Sequence, residues 1–282
     1  MKIFICSNEN QLIGAKVAKN SIIRQSQYSD NDIKIIQESD VPELEHFFLK
    51  PYLRRGIMNM FDKNDMQSFT LLRFYIPELL NYQGKALVLD PDIFQVQKGI
   101  EQLESFDFDS TAIYARRAYK KNSWGSSVLL LSCEKLKHWS LKLFIQKLHK
   151  GEIDYDDLIN LRLENSVSPL QTKWNEFDDL KEDTVLLHTT ERLTQPWRAG
   201  LKLNSSIEPL FGFLPRAPIY KIFGKDLTIG KEHPSQKVSD FFFEELLSCI
   251  NNQKISKYEV TNAVDNGFIR KDIFEKLKLY EG

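Results

Sequence analysis

The chain of 282 residues is long enough for one large α/β domain, or for one domain with a small appendix. Hydrophobic residues make up 42% and charged residues 27%, as in a globular protein with a full core, so disorder over most of the chain is excluded. The 38 basic and 39 acidic residues exclude a general nucleic-acid binder, which needs a surplus of Lys and Arg to neutralise phosphates.

The first 36 residues predict a strand, a helix and a second strand. Lys2–Cys6 is a short buried strand, because four of its five residues are apolar or thiol. The polar turn Ser7–Asn10 follows and could cap the next helix. Apolar residues recur at helical spacing over Leu12–Gln25, and Ile33–Ile36 is the second strand. This order is typical of an α/β layer with a parallel sheet.

Further elements follow a long, irregular, aromatic-rich connection over Val41–Asp65. They are a helix Ser68–Leu80, strands Lys85–Asp90, Thr111–Ala115 and Ser127–Ser132, helices Glu134–Lys150 and Tyr155–Leu163, and a strand Thr184–His188. After Pro218 the sequence predicts three short helices, Lys237–Ile250, Lys257–Val264 and Arg270–Leu279. We therefore expect a main domain over residues 1–225 and a helical C-terminal appendix over residues 226–282.

Two aromatic runs, His46–Leu49 and Phe241–Phe243, are expected to fill the core or to pack the appendix onto the main domain. The alternative is an exposed aromatic face for an acceptor or for a second subunit of a homo-oligomer.

The cysteines and the apolar runs indicate where in the cell the protein is expected. Cys6, Cys133 and Cys249 are odd in number and form no CxxC pair, which is typical of reduced thiols in a cytoplasmic protein. The apolar run Met1–Cys6 is too short for a signal peptide. No stretch approaches the roughly 20 apolar residues of a membrane helix. We expect a cytoplasmic protein without a transmembrane segment.

The feature that points to chemistry is Asp90-Pro91-Asp92. Two carboxylates at the carboxyl end of a buried strand are costly unless a positive charge lies there, and strand ends are where ligands bind in α/β sheets. Carboxylate oxygens suit Mg²⁺ and Mn²⁺, although a simple turn cap is the alternative. His188 also ends an apolar strand. Its imidazole fits beside two carboxylates, while a structural, hydrogen-bonded histidine is the alternative.

In its order of motifs the chain resembles the family 8 glycosyltransferases, retaining GT-A enzymes that include galactosyltransferases and glycogenin. Five blocks match in order over roughly residues 1–200. They are the opening strand with its polar turn, Phe69–Arg73 with Pro77–Leu80, Leu87–Asp92, Ser127–Lys135, and His188 through Pro196-Trp197. The resemblance implies an α/β fold of the GT-A type, with a Rossmann-like mixed sheet flanked by helices.

The resemblance also implies roles for individual residues. Asp90, Asp92 and His188 would hold Mn²⁺ or Mg²⁺ against the diphosphate of the donor. The turn residues Ser7, Asn8 and Asn10 would meet the nucleoside, and Arg73 would reach the phosphates or the donor sugar. Asp157 would accept a sugar hydroxyl, and Asp156 is the candidate if a nucleophile exists. Gln195, Trp197 and Arg198 offer an aromatic plate and polar donors to the nucleotide sugar, and Trp174-Asn175 resembles a structural Trp-Asn pair of the family.

Two departures from the family pattern concern the donor. Gly125 stands where the family has the asparagine that contacts the donor sugar, so Ser126 or Ser127 would substitute for it. The lysine before the family's Pro-Trp is missing and Gln195 precedes Pro196, so Arg192 or Arg198 would have to neutralise the leaving diphosphate. Both changes leave the three metal residues intact.

The sequence thus predicts a metal-dependent hexosyltransferase that uses a nucleotide-diphosphate sugar, with UDP-sugar expected, and a glycan or small-molecule acceptor. A nucleotidyltransferase is an alternative, but it requires a glycine-rich basic loop after the first strand, and Ser7–Gln11 contains neither glycine nor a basic residue. A degenerate module that binds a sugar nucleotide or a partner without turnover is the other alternative. A dehydrogenase is disfavoured, because no GxGxxG follows a strand.

Overall fold

A computed structural model of the chain describes residues 1–119, 122–190, 193–202, 216–222 and 226–281. The strands are β1 (Lys2–Ser7), β2 (Ile33–Gln37), β3 (Pro51–Arg54), β4 (Ile57–Met60), β5 (Lys85–Leu89), β6 (Ile93–Gln95), β7 (Ile113–Arg117), β8 (Trp124–Ser132), β9 (Val167–Pro169), β10 (Glu176–Phe177) and β11 (Leu186–His188). The helices are α1 (Leu12–Gln25), α2 (Pro42–Glu45), α3 (Ile76–Leu79), α4 (Leu141–Lys150), α5 (Tyr155–Ile159), α6 (Arg216–Ile222), α7 (Gln236–Asn251), α8 (Lys257–Asp265) and α9 (Ile273–Lys278). Within the described ranges no helix combines the length and the apolar character needed to cross a membrane.

The main sheet has six strands in the order β2-β1-β5-β8-β7-β9. Strands β2, β1 and β5 run parallel, and α1 makes the crossover between β1 and β2. Strand β8 is antiparallel to both β5 and β7, and β9 is parallel to β7. Helices cover the sheet, so the predicted class, a mixed α/β sheet flanked by helices, is confirmed.

A small second sheet, β10-β11-β6, lies beside the end of β5. Strand β6 begins directly after Asp90-Pro91-Asp92 and pairs antiparallel with β11, so that His188 lies opposite Ile93. The pairing brings the histidine beside Asp92, although the two residues are far apart in the sequence.

The C-terminal helices belong to the core on one side of the main sheet. Phe242 and Phe243 of α7 are buried there together with Trp197 and residues of α1. The Glu245 carboxylate on α7 also accepts a hydrogen bond from Asn20 Nδ2 of α1 at 3.0 Å. The three predicted helices are therefore confirmed. The predicted boundary after residue 225 adjoins residues 223–225, outside the described ranges, and stays a prediction.

The stretch Val41–Asp65, expected to be irregular, contains helix α2 and the hairpin β3–β4. Arg54 pairs with Ile57, which leaves a two-residue loop. Both loop residues, Arg55 and Gly56, have positive φ angles, 55° and 72°. Such a turn matches the twist of a hairpin. Sequence reasoning missed it because Asn-Gly and Asp-Gly are the usual signals, and Arg-Gly is not.

Two predicted helices are shorter than expected. Over the predicted helix Ser68–Leu80 the chain forms a 3₁₀ segment, Ser68–Tyr75, and then α3. Pro77 explains the change, because it lacks an N–H and fits only the first turn of an α-helix. Helix α4 begins at Leu141 rather than Glu134, since the chain first buries Trp139 in the core.

The predicted helix Tyr155–Leu163 is also too long. Helix α5 ends at Ile159, and Leu161 then turns the chain with a φ of 51°. The positive φ stops the helix, because a left-handed residue cannot continue it.

Candidate metal centre

Three metal-binding side chains meet where the two sheets join. Asp90 and Asp92 lie in the turn between β5 and β6, and the Asp90 N–H donates to the Ser127 carbonyl at 2.9 Å, which fixes the turn to β8. His188 ends β11. All three residues are buried, and one ligand atom from each lies within 4.8 Å of the other two. The structure therefore brings together the three residues that the sequence predicted as metal ligands.

The Asp90 carboxylate is bound by Arg73. The guanidinium donates from Nη2 to Oδ2 at 2.6 Å and from Nε to Oδ1 at 3.0 Å, and Nη1 donates to Ser126 Oγ at 2.5 Å. Burial raises the pKa of Asp90 above its ordinary value, and the charge of Arg73 opposes that shift. Arg73 thus compensates one buried carboxylate and holds it in a fixed orientation.

The Asp92 carboxylate has no cationic side chain bound to it among the described residues. Its Oδ2 accepts a hydrogen bond from Gln195 Nε2 at 2.8 Å, and its Oδ1 lies 3.5 Å from His188 Nε2. Burial raises the pKa of Asp92 well above the usual range, and the negative charge of Asp90 raises it further. A divalent cation next to Asp92 would oppose this shift, because its positive charge favours the ionised carboxylate.

Burial lowers the pKa of His188 to about 3, so its imidazole is neutral at neutral pH. A neutral imidazole is the form that binds a metal ion. Two buried carboxylates and a neutral imidazole are ligands that suit Mn²⁺ or Mg²⁺, so the residues present fit the predicted ion.

Asn175 positions the imidazole, a role beyond the structural one expected for Trp174-Asn175. Asn175 Oδ1 lies 2.9 Å from His188 Nδ1, and Asn175 Nδ2 donates to Ser127 Oγ at 3.0 Å. Because Asn175 Oδ1 can only accept, the imidazole carries its proton on Nδ1. The Nε2 atom is then unprotonated, and its lone pair faces Asp92. Hydrogen bonds of this kind orient metal-bound histidines in proteins.

These ligands line a cavity of about 210 Å³. The pairing of β7 with β8 shifts register between Ala115 and Arg116, and the resulting bulge in β8 contains Ser126 and Ser127. The lining residues are Gln11, Met66, Gln67, Phe69, Arg73, Asp90, Pro91, Asp92, Trp124, Gly125, Ser126, Ser127, Ile159, Asn160, His188, Thr190 and Gln195. Seven predicted site residues are in this set: Arg73, Asp90, Asp92, Ser126, Ser127, His188 and Gln195.

Sequence reasoning assigned no role to Gln11, Trp124 or Asn160, which also line the cavity. Gln11 and Trp124 precede predicted elements and Asn160 lies within the predicted helix Tyr155–Leu163, but the sequence indicated a site role for none of them. Only the packing of three separate segments around the metal residues makes them part of the site.

The predicted nucleoside-binding turn lies outside the cavity lining. Asn8 caps the turn that follows it, because its Oδ1 accepts from Gln11 N at 3.1 Å, while its Nδ2 donates to Ser68 Oγ at 2.9 Å. Ser7 is buried and donates from Oγ to the Asn8 carbonyl at 2.9 Å. Asn10 is half-buried. The predicted contact of Ser7, Asn8 and Asn10 with a nucleoside stays a prediction.

The two acidic residues of α5 face arginines, and neither is among the cavity-lining residues. The Asp156 carboxylate accepts from Arg54 Nε at 3.2 Å and from Arg55 Nε at 3.0 Å. Asp157 accepts from Arg162 Nη1 at 2.7 Å. Their predicted roles, nucleophile and sugar-hydroxyl acceptor, stay predictions.

Trp197 and Arg198 lie in the core beside α7. The Trp197 ring is fully buried and stacks on Phe242 with ring centroids 4.6 Å apart. Arg198 Nη1 donates to the Asn10 carbonyl at 3.3 Å, and burial lowers the pKa of Arg198 to about 10. Neither residue is among the cavity-lining residues, and their predicted contacts with the donor stay predictions. Arg192, the other predicted diphosphate partner, lies outside the described residues.

No protein-family model and no curated protein sequence matches the chain. Its structure is similar to galactosyltransferase LgtC in complex with donor and acceptor sugar analogues, with 14% identity over 70% of this chain and 89% of that one and a TM-score of 0.48. It is similar to glycosyltransferase GlyE of Streptococcus pneumoniae TIGR4, with 16% identity over 83% and 65% of the two chains and a TM-score of 0.48. Mouse xyloside xylosyltransferase 1 gives 12% identity over 67% and 97%, with a TM-score of 0.45. The fold described above rests on the chain's own sheet topology.

Proposed function

We propose that the chain is a metal-dependent glycosyltransferase that moves a hexose from a nucleotide-diphosphate sugar, with UDP-sugar as the first candidate, to a glycan or small-molecule acceptor. The observation that carries the proposal is the cluster of Asp90, Asp92 and His188 at one wall of the cavity. These residues would hold Mn²⁺ or Mg²⁺, and the bound ion would stabilise the departing diphosphate as a Lewis acid.

The charges around the cavity support a requirement for the metal ion. Among the described lining residues only Arg73, Asp90 and Asp92 are charged, since His188 is neutral at neutral pH. With both carboxylates ionised, the form that binds a cation, the net charge of the lining is negative, and it repels a diphosphate. A divalent cation reverses the sign of the site. A nucleotide sugar should consequently bind together with the metal ion and poorly without it.

The chain's own residues keep the ligands in place. Arg73 holds Asp90, Gln195 holds Asp92, and Asn175 holds His188, so each ligand is fixed by a separate hydrogen-bond partner. Fixed ligands and dipoles need no reorganisation when charge develops on the leaving group. The cavity of about 210 Å³ is below the roughly 300 Å³ typical of small-ligand pockets. We propose that it takes the reacting end of the donor.

We also propose that the reaction retains the anomeric configuration, because the family that the chain resembles consists of retaining enzymes. The Asp156 carboxylate is neutralised by Arg54 and Arg55, which opposes its use as a nucleophile. We therefore assign no covalent intermediate. The configuration of the first-formed product, followed by proton NMR, would distinguish retention from inversion.

A binding module without turnover is a second candidate. The only cation in the described lining, Arg73, is already bound to Asp90, and Gln195 is uncharged. A site with so little positive charge can bind a metal–nucleotide complex and still stabilise a leaving group weakly. Release of free nucleotide in the presence of candidate acceptors separates the two functions.

The test is a thermal-shift panel of nucleotides and sugar nucleotides with and without Mn²⁺, on the wild type, Asp92→Asn and Asp109→Asn. A ligand bound by the native state raises the unfolding midpoint. Asp109 is exposed and is not among the residues that line the cavity, so Asp109→Asn is a matched control for the loss of one carboxylate. We expect a shift that needs Mn²⁺, depends on the base and is lost only in Asp92→Asn. No shift with any nucleotide in a folded sample would refute the proposal.

A further inference from the structure

A group of exposed apolar side chains covers the hairpin β3–β4 and the adjoining face of α4. Every residue of β4 is exposed, in contrast to the alternately buried β3. The exposed large apolar residues of this surface are Leu49 (74%), Ile57 (64%), Met58 (48%), Met60 (57%) and Leu143 (52%). They are five of the twelve such residues in the described part of the chain, and they fall within residues 46–64 and 141–151. We call these two segments the hairpin surface.

The two segments are in contact. His149 Nδ1 of α4 lies 2.8 Å from the Pro51 carbonyl of β3. At the end of α4, a Cβ placed on Gly151 would lie 3.9 Å from Met58 Sδ. The apolar residues of the hairpin therefore adjoin the last turn of α4, and together they form one surface.

The charge of the hairpin surface differs from that of the whole chain. Residues 46–64 and 141–151 contain seven Lys or Arg and a single acidic residue, Asp62, whereas the whole chain has 38 basic and 39 acidic residues. Arg54 and Arg55 are paired with Asp156. The remaining five lysines are all exposed, namely Lys50, Lys63, Lys142, Lys147 and Lys150, and Lys150 lies 3.8 Å from the Glu152 carboxylate.

The exposed apolar side chains and lysines of the hairpin surface together indicate what kind of partner binds there. A second copy of the chain would bring the same five lysines and be repelled, and a nucleic acid would leave the apolar side chains uncovered. An anionic bilayer accepts both groups, because apolar side chains enter the boundary between headgroups and acyl chains while ammonium groups meet the lipid phosphates. We infer that the hairpin surface binds the surface of an anionic lipid membrane. The inference does not depend on the reaction proposed above.

The experiment is co-sedimentation of the full chain with phosphatidylcholine vesicles and with vesicles of equal parts phosphatidylcholine and phosphatidylglycerol. One variant, Ile57→Thr with Met60→Thr, removes apolar area and keeps residues that suit a strand. Another, Lys50→Gln with Lys63→Gln, removes charge. All four side chains are exposed, so the fold should be retained, and circular dichroism checks this.

Matched controls lie in the C-terminal region, on or next to helices that pack in a different core cluster from the hairpin surface. Leu279→Ser removes an apolar side chain that is 75% exposed, and Lys254→Gln with Lys278→Gln removes two exposed lysines. Each surface lysine strengthens binding to anionic vesicles about fivefold, so the lysine variant should bind about 25-fold more weakly. The apolar variant should lose about tenfold or more. The control variants should bind as the wild type does.

Binding only to the anionic vesicles, weakened by salt and by both hairpin variants, supports the inference. Equal binding of the hairpin variants and the wild type overturns it, and so does an equal loss in the controls. If the wild type fails to sediment with anionic vesicles but forms a dimer that Ile57→Thr with Met60→Thr dissolves, a second copy occupies the surface and the inference is wrong.

Discussion

Replacing Asn175 with alanine removes the acceptor that fixes the His188 ring. Asn175 is fully buried, with Oδ1 2.9 Å from His188 Nδ1 and Nδ2 donating to Ser127 Oγ at 3.0 Å. Without Oδ1 the ring can carry its proton on Nε2, the atom that faces Asp92. We therefore expect the Asn175→Ala variant to bind Mn²⁺ more weakly.

The size of the effect follows from the two lost contacts. Removing a partner that orients a metal-bound histidine costs about 10- to 100-fold in metal affinity. Two neutral hydrogen bonds contribute about 1 to 3 kcal/mol to the free energy of unfolding, and the unsatisfied Ser127 and His188 atoms keep the loss near the upper end. Metal affinity should thus fall together with a moderate loss of stability.

Isothermal titration calorimetry with Mn²⁺ measures the first effect, and urea denaturation without metal measures the second. Asn20→Ala is the matched control, because Asn20 is also buried and donates to Glu245 at 3.0 Å, far from the cavity. It should lose similar stability and keep its Mn²⁺ affinity. Asn175→Asp keeps an acceptor for His188 Nδ1 and should retain more affinity than the alanine variant. Unchanged Mn²⁺ affinity in a folded Asn175→Ala protein would refute the role given to Asn175.

Three further predictions concern single residues. Arg73→Ala should lower the free energy of unfolding by about 3 to 5 kcal/mol, because it leaves the buried Asp90 charge unpaired, and Mn²⁺ should raise the midpoint in a thermal scan by more than in the wild type. Burial, with a smaller contribution from the charge of Asp65, raises the pKa of Glu38 from its ordinary value of 4.5 to about 7. Between pH 4.5 and about 7 the folded state therefore keeps Glu38 protonated while the unfolded state releases the proton. The free energy of unfolding should fall by about 3 kcal/mol as pH rises over this range. Urea denaturation at several pH values should find no such loss in Glu38→Gln. Trp197→Ala should cost about 3 to 5 kcal/mol of stability, yet nucleotide affinity measured at low temperature should stay unchanged, since the ring is fully buried.

The regular part of the fold could be predicted from sequence because local pattern and tertiary environment agree there. Helix α1 was predicted with its observed bounds, and β1, β2 and β5 within one residue, since each is a clear apolar run or a helical repeat. The hairpin β3–β4 was missed because β4 has no buried face and so no alternation of apolar and polar residues. The helix over Ser68–Leu80 was overextended, because apolar spacing outweighed the constraint that Pro77 imposes.

The three metal residues and two of the residues that hold them, Arg73 and Gln195, were predicted as site residues, whereas Asn175 was expected to be structural. Asp90 and Asp92 follow an apolar strand and His188 ends one, and polar residues at these places are unusual enough to be noticed. The residues that orient the ligands come from distant segments and need only one well-placed amide or hydroxyl group. The family resemblance marked Trp174-Asn175 as structural, but nothing in the sequence indicates that Asn175 contacts His188. Its role depends on a 2.9 Å contact that only the pairing of β10 with β11 produces.

The charge of the cavity links the ligand residues to their partners. Arg73 must accompany Asp90, because an unpaired carboxylate at this depth would be strongly destabilising. Its guanidinium donates to both Asp90 oxygens and is therefore not free for a second anion. Gln195 satisfies one Asp92 oxygen without adding charge, so the described lining has a net negative charge when both carboxylates are ionised. Because a lysine at that position would neutralise Asp92, the glutamine leaves this carboxylate available to a cation, and the positive charge that a diphosphate requires has to come with the metal ion.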